Sequence, residues 1–209
     1  AHRYSYDFMN RRMKFLFTSL LISDCVARGK AVLDGGAGYL GGTLETYGNI
    51  NAADSLAAVK YWVFDKKKYT LRQIVDAAGK NFEGEERLRR DLLAAPKYGN
   101  DDPYADDIAV SLHEYICRKV SDQAKPNGFH SYNVVVINNQ VNTEWGRMTS
   151  ASADGRLSSM YMNNGNNPQG GADKNGPTAM LNSLVKLRTD IHAGSVQNMK
   201  FSRSMFTQK

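Results

Sequence analysis

Apolar residues recur at helical spacing in several stretches of this chain, and turn-forming residues separate these stretches. A long apolar pattern over 6–28 predicts a buried helix that ends at Gly29, because glycine commonly takes the left-handed conformation after a helix. The clearest pattern, over 104–122, predicts an amphipathic helix with an inward face of Ile108, Leu112, Tyr115, Ile116 and Val120.

Three shorter helices are predicted between these two patterns. Residues 52–65 form a helix whose apolar side consists of Leu56, Val59, Val63 and Phe64. Thr70 is a candidate N-cap for a helix through Gly79, with an inward side of Leu71, Ile74, Val75 and Ala78. A further helix over 85–93 ends before Pro96, because proline disfavours helical geometry in the residue that precedes it.

Strand patterns are fewer than helix patterns. Residues 133–139, N-V-V-V-I-N-N, predict a strand that is buried on both faces, and 195–201 predict a second strand. Six glycines between residues 30 and 50 predict a loop region with short extended pieces. Helices and strands mixed in this order predict an α/β fold.

Composition excludes several classes of function. The chain of 209 residues has 27 basic and 21 acidic side chains and a formal charge of +6, and its basic residues are scattered. We therefore expect no nucleic-acid partner. The apolar run over 13–22 is too short to span a bilayer, so we expect no membrane partner. Cys25 and Cys117 lie far apart, which argues against a disulfide framework and suits the reducing cytoplasm.

A glycine motif raises one alternative function. Gly36, Gly38 and Gly41 satisfy the G-x-G-x-x-G spacing of dinucleotide-binding loops, and Asp54 follows at the distance of a ribose-binding acid. Only three apolar residues precede the motif, however, and further glycines occupy the place of the required helix. A dinucleotide-binding oxidoreductase domain is therefore kept as a minor alternative.

Candidate metal ligands have simpler explanations. Asp101, Asp102, Asp106 and Asp107 precede or begin the helix predicted over 104–122, where carboxylates cap the first turn and favour the helix dipole. The four histidines show no metal-ligand spacing. We expect no metal site in this chain.

Five ordered blocks carry a family resemblance. The most informative is G-G-A-D-K-N-G-P-T-A-M-L-N-S over 170–183, a tight turn that leads into a helix with Pro177 in its first turn. The others are D-C-V-A-R-G-K-A-V-L-D-G-G-A-G-Y, N-A-A-D-S-L-A-A-V-K, P-K-Y-G-N-D-D-P-Y-A-D and A-S-A-D-G-R, at 24–39, 51–60, 96–106 and 151–156. In their order along the chain, the five blocks resemble those of the glycyl radical enzymes, the superfamily of pyruvate formate-lyase and the diol dehydratases.

The resemblance implies a fold and a chemistry that the composition alone does not show. Glycyl radical enzymes are ten-stranded α/β barrels in which one loop carries a catalytic cysteine and a C-terminal loop carries the radical glycine in an R-V-x-G-Y-like motif. A separate radical-SAM activase with an iron–sulfur cluster installs the radical, which generates a cysteine thiyl that takes hydrogen from a small-molecule substrate. The full-length enzymes are expected to be cytoplasmic homodimers.

Neither central residue of that chemistry is assigned in this chain. No R-V-x-G-Y motif occurs, and Cys25 matches the helical D-C block of the family instead of its catalytic loop. The resemblance therefore implies that residues 1–209 are part of the barrel domain, without the cysteine loop and the glycyl radical domain. We expect no catalytic residue, no cofactor and no catalysis in the chain alone. A non-catalytic scaffold or complementation homologue is the alternative.

The substrate-contacting residues are predicted from departures from the family pattern. Where many members have A-D-G-I-S-P, this chain has N-N-G-N-N-P over 163–168, and Gln197 stands in a stretch that resembles a family strand. Amides both donate and accept hydrogen bonds, so they suit a hydroxylated or carboxylated substrate. The candidates are Asn164, Asn166, Asn167 and Gln197, with the alternative that these amides only satisfy loop backbone. Dehydration, lyase and formate C-acetyltransferase reactions all remain open, and Asp173, Lys174 and Asn175 are expected to stabilise the junction at 170–183.

Overall fold

A computed structural model describes residues 1–137 and 140–203 of the chain. The described residues divide into two compact units. The first unit comprises residues 1–44 and 116–134, and the second comprises residues 45–115 together with the described residues after 134. The fold is rich in helices and contains one small sheet.

The N-terminal part of the first unit is a set of three short helices, α1 (His2–Arg12), α2 (Leu16–Leu20) and α3 (Ser23–Arg28). The prediction of one buried helix over 6–28 is wrong, because α1 buries no residue and Phe15 takes the left-handed conformation between α1 and α2. The hydroxyl of Ser19 donates to the Phe15 carbonyl at 2.8 Å and accepts the Val32 N–H at 2.9 Å, so local side-chain bonding replaces a continuous helix. Gly29 ends α3 with a φ of 61°, which confirms the predicted C-cap.

The first unit contains a partly buried aromatic cluster. The rings of His2, Tyr6, Phe129 and Tyr132 contact one another with centroid separations between 5.4 and 6.3 Å. Strand β1 (Gly41–Glu45) borders this cluster, and a Cβ atom at Gly42 would lie 2.8 Å from the Tyr132 ring. Glycine is therefore required there by close packing.

The second unit contains most of the helices. The helices that lie wholly in this unit are α4 (Asn49–Val59), α5 (Leu71–Gly79), α6 (Glu86–Ala94), α8 (Val141–Arg147) and α9 (Gly176–Lys186). Helix α4 continues as a wider helical turn over Lys60–Asp65. Helix α7 (Pro103–Ser121) begins in this unit. The helices predicted over 52–65, 70–79, 85–93 and 104–122 are confirmed to within a few residues. Thr70 and Gln73 form a reciprocal capping box at the start of α5, as the N-cap prediction required.

The inward faces of α4 and α5 differ from the prediction. Leu56, Phe64, Leu71 and Val75 are all at least half exposed. The prediction for α7 is also wrong at Tyr115, which is exposed. Four of the eight buried positions in α4 and α5 are alanines, whose small side chains allow close packing. The two core clusters of this unit consist of Ala58, Ile74, Ala77, Phe82, Leu88, Leu92 and Ala95, and of Ile50, Ala53, Tyr98, Ala109 and Leu187.

The described strands form one sheet in the order β1-β2-β3. Strand β2 (Ser131–Val136) runs parallel to β3 (Gly194–Ser195), with Val135 opposite Gly194 and Val136 opposite Ser195. The strand predicted over 133–139 is thus confirmed over its first residues, and its last two, Asn138 and Asn139, lie outside the described residues. The strand predicted over 195–201 is much shorter, because the backbone after β3 bonds to amide side chains instead of a strand.

The glycine motif at Gly36–Gly41 does not have the structure of a dinucleotide-binding loop. Residues Val32–Gly36 form a helical turn where a dinucleotide-binding motif needs a buried strand, so the required strand, loop and helix are not present over 31–45. No helix in the described ranges is both long enough and apolar enough to cross a membrane.

Candidate functional site

The junction at 170–183 has the predicted loop-to-helix form. Helix α9 begins at Gly176, with Pro177 in its first turn. The side-chain oxygen of Asn100 accepts the backbone N–H groups of Lys174, at 2.7 Å, and Asn175, at 3.2 Å. The Asn175 amide donates in return to the Asn100 carbonyl at 3.0 Å. These bonds support a structural role for Lys174 and Asn175 at the junction.

The acidic residues before α7 also have structural partners. Asp102 accepts the N–H of Tyr104 at 2.9 Å, which is the predicted capping role. Lys186 of α9 donates at 2.7 Å to both Asp101 and the fully buried Asp106. The described residues contain no cluster of three or more potential metal ligands. Helices α7 and α9 are therefore joined by an ion-pair network at this point.

The predicted substrate-contacting residues lie together where the loop over 163–168 meets the segment after β3. The Asn167 amide donates to the Asn198 carbonyl at 2.7 Å, and its oxygen accepts the Asn198 N–H at 3.3 Å. The Asn198 side chain donates to Asn164 at 2.9 Å. For Asn164 and Asn167 these bonds favour the alternative that the amides stabilise the loop.

Asn166 and Gln197 differ from their neighbours. Asn166 is buried, and its side-chain nitrogen has no hydrogen-bond partner among the described residues. The Gln197 nitrogen contacts the Met180 sulfur at 3.5 Å, while its buried oxygen has no partner in the described part of the chain. An unpaired donor and an unpaired acceptor are costly when buried, so these two amides are the ones that a polar ligand would satisfy.

Beside this loop is a cavity of about 300 Å³. Its walls include Asn167, Pro177, Met180, Asn198 and Phe201. Its size is at the lower end of the range for small-molecule sites. The cavity places the start of α9 and the loop around one space that could hold a small molecule.

A buried polar network that the sequence patterns did not reveal holds this loop. The Asn51 oxygen accepts the N–H of Asn163 at 2.8 Å, and its nitrogen donates to Asp154 at 2.7 Å and to Gln169 at 3.0 Å. Asn163 in turn donates to the Gly165 carbonyl at 2.7 Å. The sequence did indicate that both residues matter, because Asn51 and Asp154 each lie in a block of the family resemblance. It did not indicate that they bond to each other, because they are about a hundred residues apart in the chain.

Asp54 is a second buried polar residue of helix α4. One of its carboxylate oxygens accepts the Tyr98 N–H at 2.9 Å, and the other has no partner among the described residues. Burial raises the pKa of Asp54 to about 7, partly offset by the nearby charge of Lys97. Asp54 accepts a backbone N–H, and the motif at Gly36–Gly41 lacks the strand and helix of a dinucleotide-binding loop, which removes the sequence support for the dinucleotide alternative.

Replacing Asp54 with asparagine is expected to weaken the dependence of stability on pH between about 4 and 7. The folded pKa lies above the ordinary 3.8, so the folded chain binds more protons than the unfolded chain in this range and loses stability as pH rises. Asparagine does not titrate but can still accept the Tyr98 N–H. Urea unfolding across this pH range measures the slope. Asp76→Asn, at an exposed position of α5, is the control, and an unchanged slope in Asp54→Asn would contradict the assignment.

The two cysteines are buried, and neither forms a disulfide. A Cβ atom at Gly36 would lie 2.7 Å from the Cys25 sulfur, so the Gly36 backbone packs closely against one side of this thiol. Burial raises the pKa of the Cys117 thiol to about 11, which keeps it protonated and unreactive near neutral pH.

Comparison with known families decides the identity of the fold. The family model described as pyruvate formate lyase-like matches residues 1–144. This chain belongs to the pyruvate formate lyase-like family. The model described as glycine radical matches residues 162–209, a stretch that includes the loop over 163–168 and helix α9 but no R-V-x-G-Y motif. The resemblance to glycyl radical enzymes is thereby confirmed.

Relatives of the pyruvate formate lyase-like chain are much longer than the chain itself. Trans-4-hydroxy-L-proline dehydratase of Clostridioides difficile is 34% identical over 189 residues, which are 90% of this chain and 24% of that protein. Isethionate sulfite-lyase of Bilophila wadsworthia is 38% identical over 140 residues, which are 67% of this chain and 17% of that protein. The chain thus spans about a quarter or less of these relatives.

A solved structure shows the same fold. The glycerol-bound B12-independent glycerol dehydratase of Clostridium butyricum matches with a TM-score of 0.80 and 34% identity, over 85% of this chain and 22% of that protein. The helix-rich arrangement with a small parallel sheet is therefore that of a portion of a glycyl radical enzyme.

Proposed function

We propose that this chain is part of a glycyl radical dehydratase or lyase that cleaves a carbon–heteroatom or carbon–carbon bond of a small polar substrate under anaerobic conditions. The observation that carries the proposal is that the pyruvate formate lyase-like and glycine radical family models match successive stretches of one chain. The relatives named as a dehydratase and a sulfite-lyase favour elimination chemistry over a formate C-acetyltransferase reaction.

The proposed whole protein is a ten-stranded α/β barrel, a cytoplasmic homodimer that a radical-SAM activase converts to its radical form. Two buried cysteines that form no disulfide support a reducing compartment. Within it, residues 1–209 form part of the barrel, without the catalytic-cysteine loop and without the motif that bears the radical. Cys25 lies in helix α3, in the D-C block that differs from the family's catalytic-cysteine loop, so no radical step is assigned to this chain and we expect it to be inactive alone.

The part of the site that this chain supplies is proposed to be Asn166 and Gln197. Each carries one buried amide atom without a partner in the described part of the chain, a donor on Asn166 and an acceptor on Gln197. A polar group of the substrate can accept from Asn166, and a substrate hydroxyl can donate to Gln197. Asn164 and Asn167 are proposed to support these two residues through their bonds to Asn198.

Asn166→Ala and Gln197→Ala are each expected to raise KM by about tenfold in the activated natural polypeptide, because each removes a buried hydrogen bond to substrate. Turnover of trans-4-hydroxyproline, isethionate and glycerol, the molecules named for the relatives, would first identify a working substrate. In-frame sequencing on both sides of the chain should reveal a cysteine loop and an R-V-x-G-Y motif.

The matched control is Asn182→Ala, an exposed amide of α9 that donates to Asp101 at 2.8 Å and is not part of the cavity wall. We expect this variant to lower the melting temperature and leave KM close to that of the parent protein. Equal KM values in all three variants would contradict the substrate-contact assignment. An open reading frame that lacks both motifs would overturn the enzymatic proposal and support a scaffold homologue.

A further inference from the structure

A second cavity, of about 290 Å³, lies in the larger unit, with charged residues in its walls. Asp54, Arg89, Lys97, Asp154, Arg156 and Lys174 all line it. Four of these side chains are cationic and two are acidic. The excess of cationic side chains favours an anionic ligand, and the two carboxylates disfavour a ligand that carries several negative charges.

Asp154 and Arg156 already bond to other groups of the protein. Asp154 accepts from Asn51, Ser152 and the Arg156 backbone N–H. The Arg156 guanidinium donates to the carbonyls of Leu157, Met160 and Ser150. These groups shape the cavity wall, so any ligand must be held by the other charged residues.

Arg89 and Lys97 retain unused donors. Arg89 bonds to the Gly155 carbonyl through Nε at 2.9 Å, and its two terminal nitrogens make no hydrogen bond in the described part of the chain. The buried Lys97 donates once, to the Leu92 carbonyl at 2.8 Å, which leaves two of its three N–H groups. A guanidinium fork with a nearby ammonium is a pattern that binds carboxylates.

The unpaired oxygen of Asp54 completes the polar part of the cavity. Asp54 is 1% exposed and lines the cavity, and one of its oxygens has no partner among the described residues. Because burial raises its pKa to about 7, this carboxyl can be protonated near neutral pH and share its proton with a carboxylate ligand. Leu93 and Met160 add an apolar wall that suits an organic ligand better than inorganic phosphate.

We propose that this cavity binds a small organic monocarboxylate, with its carboxylate held by Arg89 and Lys97 and its apolar body against Leu93 and Met160. The exposed Lys174 at the rim attracts the anion towards the opening. The proposal does not depend on radical chemistry, because binding requires neither the radical nor the activase. A failure of this proposal would therefore not contradict the proposed enzymatic function, and the reverse also holds.

Calorimetric titration of the natural polypeptide with butyrate tests the proposal, and butyramide serves as the neutral ligand of the same shape. We expect saturable binding of butyrate and at least tenfold weaker binding of butyramide. Arg89→Gln should weaken butyrate binding by about tenfold or more. Arg87→Gln, on the same helix at an exposed position outside the cavity, should leave it unchanged.

A second variant tests the proposal independently, in case Arg89→Gln does not fold. Leu93→Trp retains every charged residue and fills the apolar side of the cavity, so it should abolish butyrate binding while the thermal unfolding transition stays sharp. Equal binding of butyrate and butyramide, or unchanged binding in both variants, would overturn the proposal.

A crystal structure of the natural polypeptide soaked in butyrate separates the two sources of a carboxylate. Electron density for butyrate between Arg89 and Lys97 supports a free ligand. An Asp or Glu side chain from outside this chain in that position would show that the protein supplies its own carboxylate, and would overturn the small-molecule site.

Discussion

Asn51→Ala is expected to lower the free energy of unfolding by about 4 kcal/mol, because it leaves two buried polar groups without partners at roughly 1–3 kcal/mol each. The first is the backbone N–H of Asn163, and the second is the carboxylate oxygen of Asp154, both of which Asn51 satisfies. Asn163 and Asp154 are 1% and 3% exposed, so water cannot replace the lost bonds without local opening. Urea unfolding measures the change.

The same helix offers the control for this variant. Asn49 is half-buried in the first turn of α4, and its side chain bonds to the Thr46 hydroxyl at 2.8 Å. Asn49→Ala should cost only about 1 kcal/mol, because its partner can turn to solvent. If the two variants lost the same stability, the Asn51 network would not be what holds the loop over 163–168.

Gly165→Ala is expected to cost about 3–4 kcal/mol and to separate the loop over 163–168 from the segment after β3. A Cβ atom at Gly165 would lie 2.3 Å from the Val196 carbonyl oxygen, and the φ of 55° adds left-handed strain of about 1 kcal/mol. The displaced loop should lose the Asn167 bond to the Asn198 N–H. Urea unfolding gives the energy, and faster hydrogen exchange at Asn198 reports the separation.

Gly171→Ala isolates the contribution of backbone strain. Gly171 has a φ of 81°, but an added Cβ atom would meet nothing within 4 Å. We expect this variant to lose about 1 kcal/mol and to keep the slow exchange at Asn198. A loss at Gly165 no larger than that at Gly171 would show that close packing against Val196 does not require glycine.

The contrast between Asn166 and Asn167 shows how far sequence reasoning reached at the site. All four predicted amides lie in the same part of the structure, and their contact with substrate stays a prediction. The sequence offered no way to assign their roles, because each role depends on the partner of the amide. Asn167 bonds to the Asn198 backbone, which lies about thirty residues away, while the Asn166 nitrogen is left unpaired.

Local features were predictable because their physical causes are local. The Thr70 capping box, the left-handed Gly29 cap and the proline at the start of α9 each depend on residues within one or two turns. Apolar spacing also placed the helices over 70–79, 85–93 and 104–122. The family was recognisable from ordered blocks of residues, and the match over 1–144 confirms it.

The sequence by itself determined the family, the positions of most helices and the region of the candidate site. Only the tertiary structure decided which face of α4 is buried, where the strand after Gly194 ends, and that Asn51, Asp154 and Asn163 form one network. The reason is physical: a periodic pattern records the preferences of neighbouring residues, whereas burial and hydrogen bonding of a polar side chain are fixed by groups that are remote in sequence and become adjacent only when the chain folds.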